Sequence, residues 1–441
     1  MPPLQGLDIL KELLTEAWGY ILPVLEFIWP FVAFVFLVII LRSTWLFWRQ
    51  SIFEHTIPFV LLELRIPREV RKSPKAMEQV LMAIHSLRNV ATDLQEKYWD
   101  GEVTRWYSLE MASFSGETHL YVRTYVKQRP LVEAAFFSYY PDVEIVEVPD
   151  YTEQLPVTVR EMYDQGYDTW GGEMVLERED AYPIRTYESF EAIEEEKQVD
   201  PISVFLEVLG KLKKGEFIGI QILLAPAADD WGEEWEHLVE KLRETSKKEK
   251  RHGPEGALEM FSRFIARSPG QTDVLKAIEQ NLSKPAFETL IRFIYLSPKA
   301  TFYDSFARRA LKGCFNQYAA LDLNQFGRNE KTATRTRMWY FPYVFPNVRN
   351  EYRKQRLFYN YIHRVIPPET FMGRVITSTF FNWNSHTRWT HITTACIATI
   401  FHPPTHMVLT APHIQRVESH KASPPAGLPI YGDEKDIEQF Q

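Results

Sequence analysis

The longest hydrophobic run of the chain lies near its N-terminus and predicts a membrane-spanning helix. Residues 18–41 carry a single charge, Glu26, and residues 27–41 contain no polar residue. A helix needs about 20 such residues to cross a bilayer, and membrane helices tolerate prolines such as Pro23 and Pro30. A cleaved signal peptide or a buried soluble helix fits less well, because residues 1–17 lack a basic region and the run is too apolar.

Aromatic and basic residues flank the apolar run, as they do at a bilayer surface. The predicted membrane-interface residues are Trp18, Arg42, Trp45, Trp48 and Arg49. Because further basic residues follow as far as Lys75, the positive-inside rule places the N-terminus outside and the bulk of the chain in the cytoplasm. Two cysteines are too few for a disulfide framework or a four-cysteine zinc site, which agrees with a reducing compartment. We expect a single-pass protein of the cell membrane.

The pattern of residues 57–150 predicts a small α+β domain. Apolar and polar residues alternate over 62–66, 107–111 and 120–123, which is the period of half-buried strands. Residues 77–87 have helical spacing after Ser73-Pro74, an N-cap followed by a first-turn proline. With a helix over 130–139 and a strand over 143–148, the order β-α-β-β-α-β is that of a ferredoxin-like fold. That fold hosts many functions and indicates none by itself.

A weak internal repeat follows in residues 200–323. Each half has a helix, an apolar strand that ends in a proline, and a second helix. The strands are 217–224 and 287–296, and Pro226 aligns with Pro298. We therefore expect a duplicated αβα domain whose two strands share one sheet, with a charged linker at 244–270.

Charge is distributed unevenly along the chain. The 50 Lys+Arg and 58 Asp+Glu give a net charge of −8, which by itself predicts no polyanionic partner. Eighteen acidic residues lie between residues 142 and 200 against four basic ones. A metal or basic-partner surface is one interpretation of this stretch. Because the carboxylates lack calcium-loop spacing, we favour a solvated acidic connector at 151–199.

Residues 324–430, which precede a tail at 431–441, are basic and rich in aromatic residues. Between residues 324 and 421 there are thirteen Lys+Arg and four Glu. The candidates for contacting nucleic acid or a partner are Arg335, Arg337, Arg349, Arg353, Lys354, Arg356 and Arg364. Aromatic residues between them would stack on the bases of single-stranded nucleic acid. The alternative, favoured by helical spacing over 349–364, is a packed helix with its aromatics inward and its basic side chains outward.

Motifs of catalysis are absent from the sequence. It has no phosphate-binding loop, nucleophile elbow, zinc-protease helix or dinucleotide-binding glycine pattern. The best metal candidate is Cys396 with His402, His406 and His413, but Pro403-Pro404 keeps the first two histidines off one helical face. The sequence therefore predicts no catalytic, cofactor-binding or metal-binding residues, and a metal-dependent enzyme is the weakest hypothesis.

Several segments resemble a known family. They are FVLLELRIPREV (59–70), KSPKAMEQV (72–80), DAYPIRTY (180–187), IRFIY (291–295), ATIFHP (398–403) and PPAGLP (424–429). Across residues 57–429 they resemble the N-terminal, non-motor region, a domain of unknown function, of type IV secretion-like conjugative DNA transfer ATPases of candidate-phylum bacteria. Two departures stand out. Ala395-Cys396-Ile397 replaces an expected Glu-Leu pair, and the chain ends twelve residues after Pro429, where the motor would begin.

Together, the anchor and the resemblance imply a membrane-anchored, non-catalytic component of a type IV secretion-like or DNA-translocation machine. It would act as a cytoplasmic platform for a separately encoded RecA-type ATPase. The alternative is a membrane-tethered nucleic-acid-binding module that contacts DNA through its basic C-terminal region. The expected partners are therefore the membrane, an ATPase and, in the alternative, DNA. The sequence leaves open whether the chain forms a homo-oligomer.

Overall fold

Nine strands form one antiparallel sheet in the computed structural model, which describes residues 4–67, 72–191, 199–248, 269–302, 306–335, 343–378 and 386–405. The strands are β1 Phe59–Arg65, β2 Tyr107–Phe114, β3 Glu117–Tyr125, β4 Glu144–Val148, β5 Tyr167–Leu176, β6 Phe217–Pro226, β7 Ala286–Pro298, β8 Phe326–Arg328 and β9 Thr390–Thr393. Their order across the sheet is β4-β1-β3-β2-β6-β7-β5-β8, and β9 also pairs with β7.

Helices cover both faces of this sheet. In the described part of the chain they are α1 Leu4–Thr56, α2 Pro74–His85, α3 Arg129–Tyr139, α4 Val159–Asp164, α5 Ser203–Gly210, α6 Glu236–Lys248, α7 Pro269–Leu282, α8 Phe306–Asn316, α9 Pro346–Ile362, α10 Phe371–Ile376 and α11 Thr394–Ile400. The main core, on the first face, takes side chains from α2, α3, α5, α8 and α11. A second core, on the opposite face, lies under α4 and α9. The chain is therefore a mixed helix-and-sheet protein.

Strand alternation explains how both faces become buried. In β6, Ile218, Ile220 and Ile222 belong to the first core, whereas Phe217 belongs to the second. Successive side chains of a strand point to opposite faces, so a strand that is covered on both sides is apolar nearly throughout. Every residue of β6 is accordingly buried.

Helix α1 contains the predicted span and continues past it to Thr56. Side chains of the apolar run are exposed on it, with exposed fractions of 71% for Phe27 and 68% for Leu41. Residues 22–56 of this helix are long and apolar enough to cross a membrane by length and composition. Pro23 and Pro30 lie inside the helix.

Residues 57–150 and 200–323, expected to be separate domains, share the sheet. Strands β2 and β6 pair antiparallel along their length, from Tyr107 opposite Leu224 to Phe114 opposite Phe217. The join satisfies the backbone groups that β2 would otherwise expose at an edge. The helix-strand-helix order does occur twice in 200–323, and β6 and β7 are antiparallel neighbours. The predicted linker is helical as far as Lys248 and again from Pro269, and 249–268 lie outside the described residues.

The solvated connector expected at 151–199 was a wrong interpretation. This stretch contributes helix α4 and strand β5, which lies between β7 and β8 in the sheet. Its acidic composition concealed the strand, because two of its carboxylates, those of Asp168 and Glu173, are paired with basic side chains inside the fold. An acidic segment is a solvated connector only when its charges have no partners nearby.

Candidate functional site

The basic residues singled out in the C-terminal region lie on and around helix α9, and most of them are buried. Four have exposed fractions of 8% or less: Arg349, Arg353, Lys354 and Arg364. Arg356 is half-buried, Arg335 is exposed, and Arg337 lies outside the described residues. A helix is present over Pro346–Ile362 and packs on the sheet, but these four basic side chains are buried, and of its aromatic residues Tyr352 and Tyr359 are exposed.

Arg364 is the centre of a buried polar cluster on the second face of the sheet. Its Nε donates to Oε1 of Glu110 at 2.8 Å, and its Nη2 donates to Oε2 of Glu110 and to Oδ1 of Asp150, each at 3.0 Å. The Tyr151 hydroxyl donates to Glu110 Oε2 at 2.6 Å and lies 2.7 Å from the hydroxyl of Tyr361. Such a two-pronged guanidinium–carboxylate pair satisfies both ions in a place without water.

The electrostatics of this cluster follow from the pairing. Burial by itself raises the pKa of Glu110, but the charge and hydrogen bonds of Arg364 outweigh it, and the pKa is lowered. The pKa of Asp150 is lowered by the same balance of burial against Arg364. Both carboxyl groups are therefore held ionised, which suits a structural ion pair and not a proton donor.

Two further pairs bind helix α9 and the chain after it to the sheet. Arg292 of β7 contacts Glu173 at 3.2 Å and donates to the carbonyls of Asn360 and Val365 at 2.8 and 3.1 Å. Lys354 lies 2.7 Å from Asp168. These basic groups are occupied within the fold, so Lys354 and Arg364 are not available to the phosphates of a nucleic acid.

The base of helix α1 packs against two short elements that we call the collar: a π-helical turn, Glu96–Asp100, and helix α10. Trp45 Nε1 donates to the carbonyl of Tyr98 at 2.7 Å, and the Arg42 guanidinium lies 5.6 Å from the ring centroid of the same tyrosine. On the other side, Met372 N donates to Ser43 Oγ at 3.0 Å. The collar thus holds the helix two residues beyond Leu41, where the apolar run ends.

Gly101 makes the close approach of the collar feasible. It has a φ of +72°, and a Cβ placed there would lie 2.5 Å from the Arg49 carbonyl carbon. Of the other predicted interface residues, Trp18 and Trp48 are exposed, with exposed fractions of 54% and 51%. Arg42 and Trp45 are exposed as well, although both contact Tyr98, and the backbone of Arg49 lies close to Gly101.

Exposed apolar side chains lie on the collar or within two residues of it, and we call them the apolar rim. They have exposed fractions between 47% and 76% and are Leu94, Trp99, Phe371, Val375 and Ile376. Trp99 lies 6.2 Å from Trp45, ring centroid to centroid, so the rim continues the surface of helix α1. Contiguous exposed apolar groups commonly mark an interaction surface.

A cavity of about 260 Å³ opens beside helix α10, and we call it the basic cavity. Its basic lining residues are Arg356, Arg374 and His386, and its neutral polar ones include Asn360, Thr377 and Thr387. Burial lowers the pKa of Arg356. Burial, together with Lys331 and the two cavity arginines, lowers the pKa of His386. Only Arg356 was singled out from the sequence, because the other residues come from separate segments with no common period.

A second cavity, of about 470 Å³, has acidic walls that include Glu288 and Glu369 beside His391. Burial raises the pKa of Glu288, and the imidazole of His391 is held by Asp180, with Nδ1 at 3.4 Å from the carboxylate. Within the described ranges, no group of three or more His, Cys, Asp or Glu side chains could hold a metal ion.

The metal candidates from the sequence have other partners in the structure. His402 is buried, and its two ring nitrogens lie 2.8 Å from the Ala398 carbonyl and 2.8 Å from Asp200. Cys396 is buried as well and contacts Thr393 Oγ1 at 3.4 Å. His406 and His413 lie outside the described residues. Neither ring nitrogen of His402 is left for a metal ion.

A family model described as a domain of unknown function, DUF8128, matches residues 53–342. No curated protein matches the chain. The matched region covers the sheet from β1 to β8 and ends before helix α9, so it excludes the segment that supplies Lys354 and Arg364.

Proposed function

The chain belongs to the DUF8128 family of domains of unknown function, and we propose that it is a membrane-anchored, non-catalytic platform for a separately encoded ATPase. The membrane part of this proposal is carried by a single observation. An exposed apolar helix leaves the body of the protein at a collar that holds its base, so the body would be fixed close to the bilayer. An anchor held in this way fixes the orientation of the body relative to the membrane, which a flexible linker would not do.

The apolar rim supports the same arrangement. Ser43 contacts helix α10 and comes two residues after Leu41. At 1.5 Å per residue, it would lie about 3 Å below the end of the apolar run. Trp99 on one side and Phe371 on the other would then reach the interfacial region, where aromatic side chains are favoured.

The architecture of the body agrees with a platform. Strand order β4-β1-β3-β2, with helices α2 and α3 in the core on one face, supports a ferredoxin-like unit in residues 57–150. The recurring helix-strand-helix order supports a duplication in 200–323. Neither fold identifies an activity. Three carboxylates within the fold, Glu110, Asp150 and Glu173, are paired with arginines and so do not suit acid–base chemistry.

The ATPase partner and the type IV secretion-like context are proposed from the sequence resemblance. Purification of the full chain from membranes in a mild detergent tests them. We expect a RecA-type ATPase to co-purify and to be the source of any nucleotide hydrolysis. Recovery of the protein from gently solubilised membranes without any ATPase would contradict the platform.

Membrane anchoring is tested by charge substitution within the apolar run. Phe34→Arg combined with Val38→Arg places two charges in the span, each costing about 3 kcal/mol on insertion scales. We expect the wild-type chain to stay in the membrane after alkaline extraction and the double variant to be released. Val126→Arg, at an exposed apolar position of the body, is the control and should remain in the membrane fraction.

Orientation is tested with single introduced cysteines, because the native Cys314 and Cys396 are buried and give little background. A membrane-impermeant maleimide should label Asp8→Cys in intact cells and should label Ser138→Cys only after permeabilisation. The reverse pattern would place the body outside the cytoplasm.

A further inference from the structure

We propose that the basic cavity binds a phosphate ester at the membrane surface, and that its source is the headgroup of an anionic phospholipid. The cavity lies next to the Arg292–Glu173 pair, because Asn360 and Val365 on its walls accept hydrogen bonds from Arg292. Its own arginines take no part in the structural ion pairs, and phosphate binding goes beyond the platform role. The choice of a lipid as the source rests on the proposed membrane anchoring. The binding of a phosphate group does not.

The first argument is an excess of positive charge. Among the described residues, Arg356 and Arg374 form no salt bridge, and Arg356 Nη1 is buried with no hydrogen-bond partner. The nearest acidic partner of this region, Glu173, is already bound by Arg292 and accepts a hydrogen bond from Thr387 at 3.1 Å. A buried guanidinium nitrogen without an acceptor is costly, and an anion in the cavity would supply the acceptor.

The second argument is the set of polar residues that line the cavity. Two arginines supply forked donors that match phosphate oxygens, and the neutral polar residues Asn360, Thr377 and Thr387 line the same cavity. Within the region described, no carboxylate lines it. Burial lowers the pKa of His386, and the positive charges of Lys331 and the two arginines lower it further.

The third argument is size. About 260 Å³ lies below the 300–1,000 Å³ typical of sites for drug-sized ligands. The cavity therefore suits a phosphate group with a small substituent, such as a glycerophosphate, better than it suits a nucleotide.

The position of the cavity beside helix α10 favours a membrane lipid as the source of the phosphate. Arg374 and Thr377 lie on and just after helix α10, the same helix whose Met372 contacts α1 at Ser43. Val375 and Ile376, beside Arg374, belong to the apolar rim and are exposed. A phospholipid would place its phosphate between the arginines while its acyl chains follow the rim and helix α1 into the bilayer.

The test uses the full chain in detergent, titrated with sn-glycerol 3-phosphate by calorimetry. We expect saturable binding that weakens at least about tenfold in Arg374→Gln and again in Arg356→Gln, since each removes a charge-assisted contact. Arg160→Gln, which removes an exposed charge of helix α4 that does not line the cavity, should bind as wild type. Because Arg356 is half-buried, thermal unfolding of each variant is measured alongside, and the exposed Arg374 gives the decisive comparison.

A second arm identifies the source. The full chain is placed in nanodiscs of phosphatidylcholine with or without phosphatidylglycerol. If phosphatidylglycerol competes with glycerol 3-phosphate for the wild-type chain and does not compete for Arg374→Gln, the lipid headgroup is supported as the source of the phosphate. If glycerol 3-phosphate binds in a way that depends on the arginines, and phosphatidylglycerol does not change this binding, the lipid source is overturned. The ligand would then be a soluble phosphate ester. Binding that is absent, or that is unaffected by both arginine substitutions, overturns the cavity as a phosphate site. Release of the wild-type chain by alkaline extraction would refute the anchor alone.

Discussion

Arg364 occupies a backbone position that usually belongs to glycine. It follows His363, the C-cap of helix α9, with a φ of +49°. Arg364 N donates to the Tyr361 carbonyl at 3.3 Å and Val365 N donates to that of Asn360 at 3.0 Å, the two bonds of a Schellman motif. A side chain in this left-handed region costs about 1–2 kcal/mol. The ion pairs with Glu110 and Asp150 must outweigh that cost.

Arg364→Gly separates the two effects. It relieves the backbone but leaves the buried Glu110 without its partner, which costs about 3–5 kcal/mol. We expect a net loss of roughly 1–4 kcal/mol in the free energy of unfolding, measured by urea denaturation. Adding Glu110→Gln to the variant should recover part of the loss by removing the unpaired charge. Wild-type stability in Arg364→Gly would mean that the pairing does not stabilise the fold.

Asp200 and His402 give a second test at the level of single residues. Burial opposes ionisation of Asp200, but the charge and hydrogen bond of His402, with hydrogen bonds from Thr405, lower its pKa to about 2. An aspartate in the unfolded chain has a pKa near 3.9. Since the folded-state pKa is the lower one, the unfolded chain takes up the proton first. The contribution to stability is therefore present above about pH 4 and is lost as the pH falls towards 2.

We expect the difference in unfolding free energy between wild type and Asp200→Asn to depend on pH over this range. It should be largest near pH 6, include about 2 kcal/mol from the shifted pKa, and shrink between pH 4 and pH 2. Denaturant unfolding of both proteins across that range measures it. Other carboxylates cancel in the comparison, because both proteins carry them. A difference that stays constant with pH would contradict the assignment.

At the scale of elements, the contact between strand β6 and helix α9 depends on Gly219. A Cβ at this position would lie 2.6 Å from Tyr361 Cζ and 2.9 Å from Phe217 Cζ, closer than side chains tolerate. Tyr361 is fully buried and its hydroxyl pairs with that of Tyr151, so it has little room to move.

Gly219→Ala should therefore lower stability by about 1–3 kcal/mol, the usual range for overpacking a core. Gly313 in helix α8 provides the matched control, because nothing lies within 4 Å of a Cβ added there. Gly313→Ala should be neutral or stabilise by up to about 1 kcal/mol through helix propensity. Thermal unfolding of both variants checks the prediction. Equal effects would show that α9 does not pack on β6 this closely.

The elements were predictable from the sequence where local pattern decides them. Strands β1 to β3 and helix α2 follow the periods of two and 3.6 residues, and Ser73 caps α2 by accepting from Lys75 N as its position suggested. Strand β5 was missed because Gly171 and Gly172 and several acids read as a loop. Glu173 of β5 can be buried because it pairs with Arg292, which is 119 residues further along the chain. No local pattern contains that information.

The candidate sites show the same division. The apolar run and the aromatic residues that flank it could be predicted, because they are neighbours in the sequence. The burial of Arg364 was not, since its partner Glu110 is 254 residues away. Likewise, the basic cavity combines Arg356, Arg374 and His386 from separate segments. Only the fold reveals that some basic residues neutralise buried acids while others line a cavity.

For the whole molecule, the opposed charges of the sequence are largely complementary parts of one structure. The acidic stretch supplies Asp150 and Asp168, and the basic C-terminal region supplies Arg364 and Lys354 to meet them. In addition, β9 pairs with β7, and His402 reaches Asp200. The C-terminal region up to residue 405 is therefore part of the folding unit, although the family match ends at residue 342.

A chain that stops at the boundary of the family match should consequently fail to fold. Residues 1–342 would retain the buried Glu110 but lose its partner Arg364, and an unpaired buried charge costs several kcal/mol. Arg292 would keep Glu173 but lose its two carbonyl acceptors, those of Asn360 and Val365. We expect residues 1–405 in detergent to unfold cooperatively and resist proteolysis, whereas residues 1–342 should be digested rapidly. Co-expression of 343–405 as a separate polypeptide should restore protection, because the ion pairs and strand β9 would dock in place. Cooperative unfolding of 1–342 alone, at the temperature of the longer chain, would show instead that the matched region is an independent domain and that helix α9 is only attached to it.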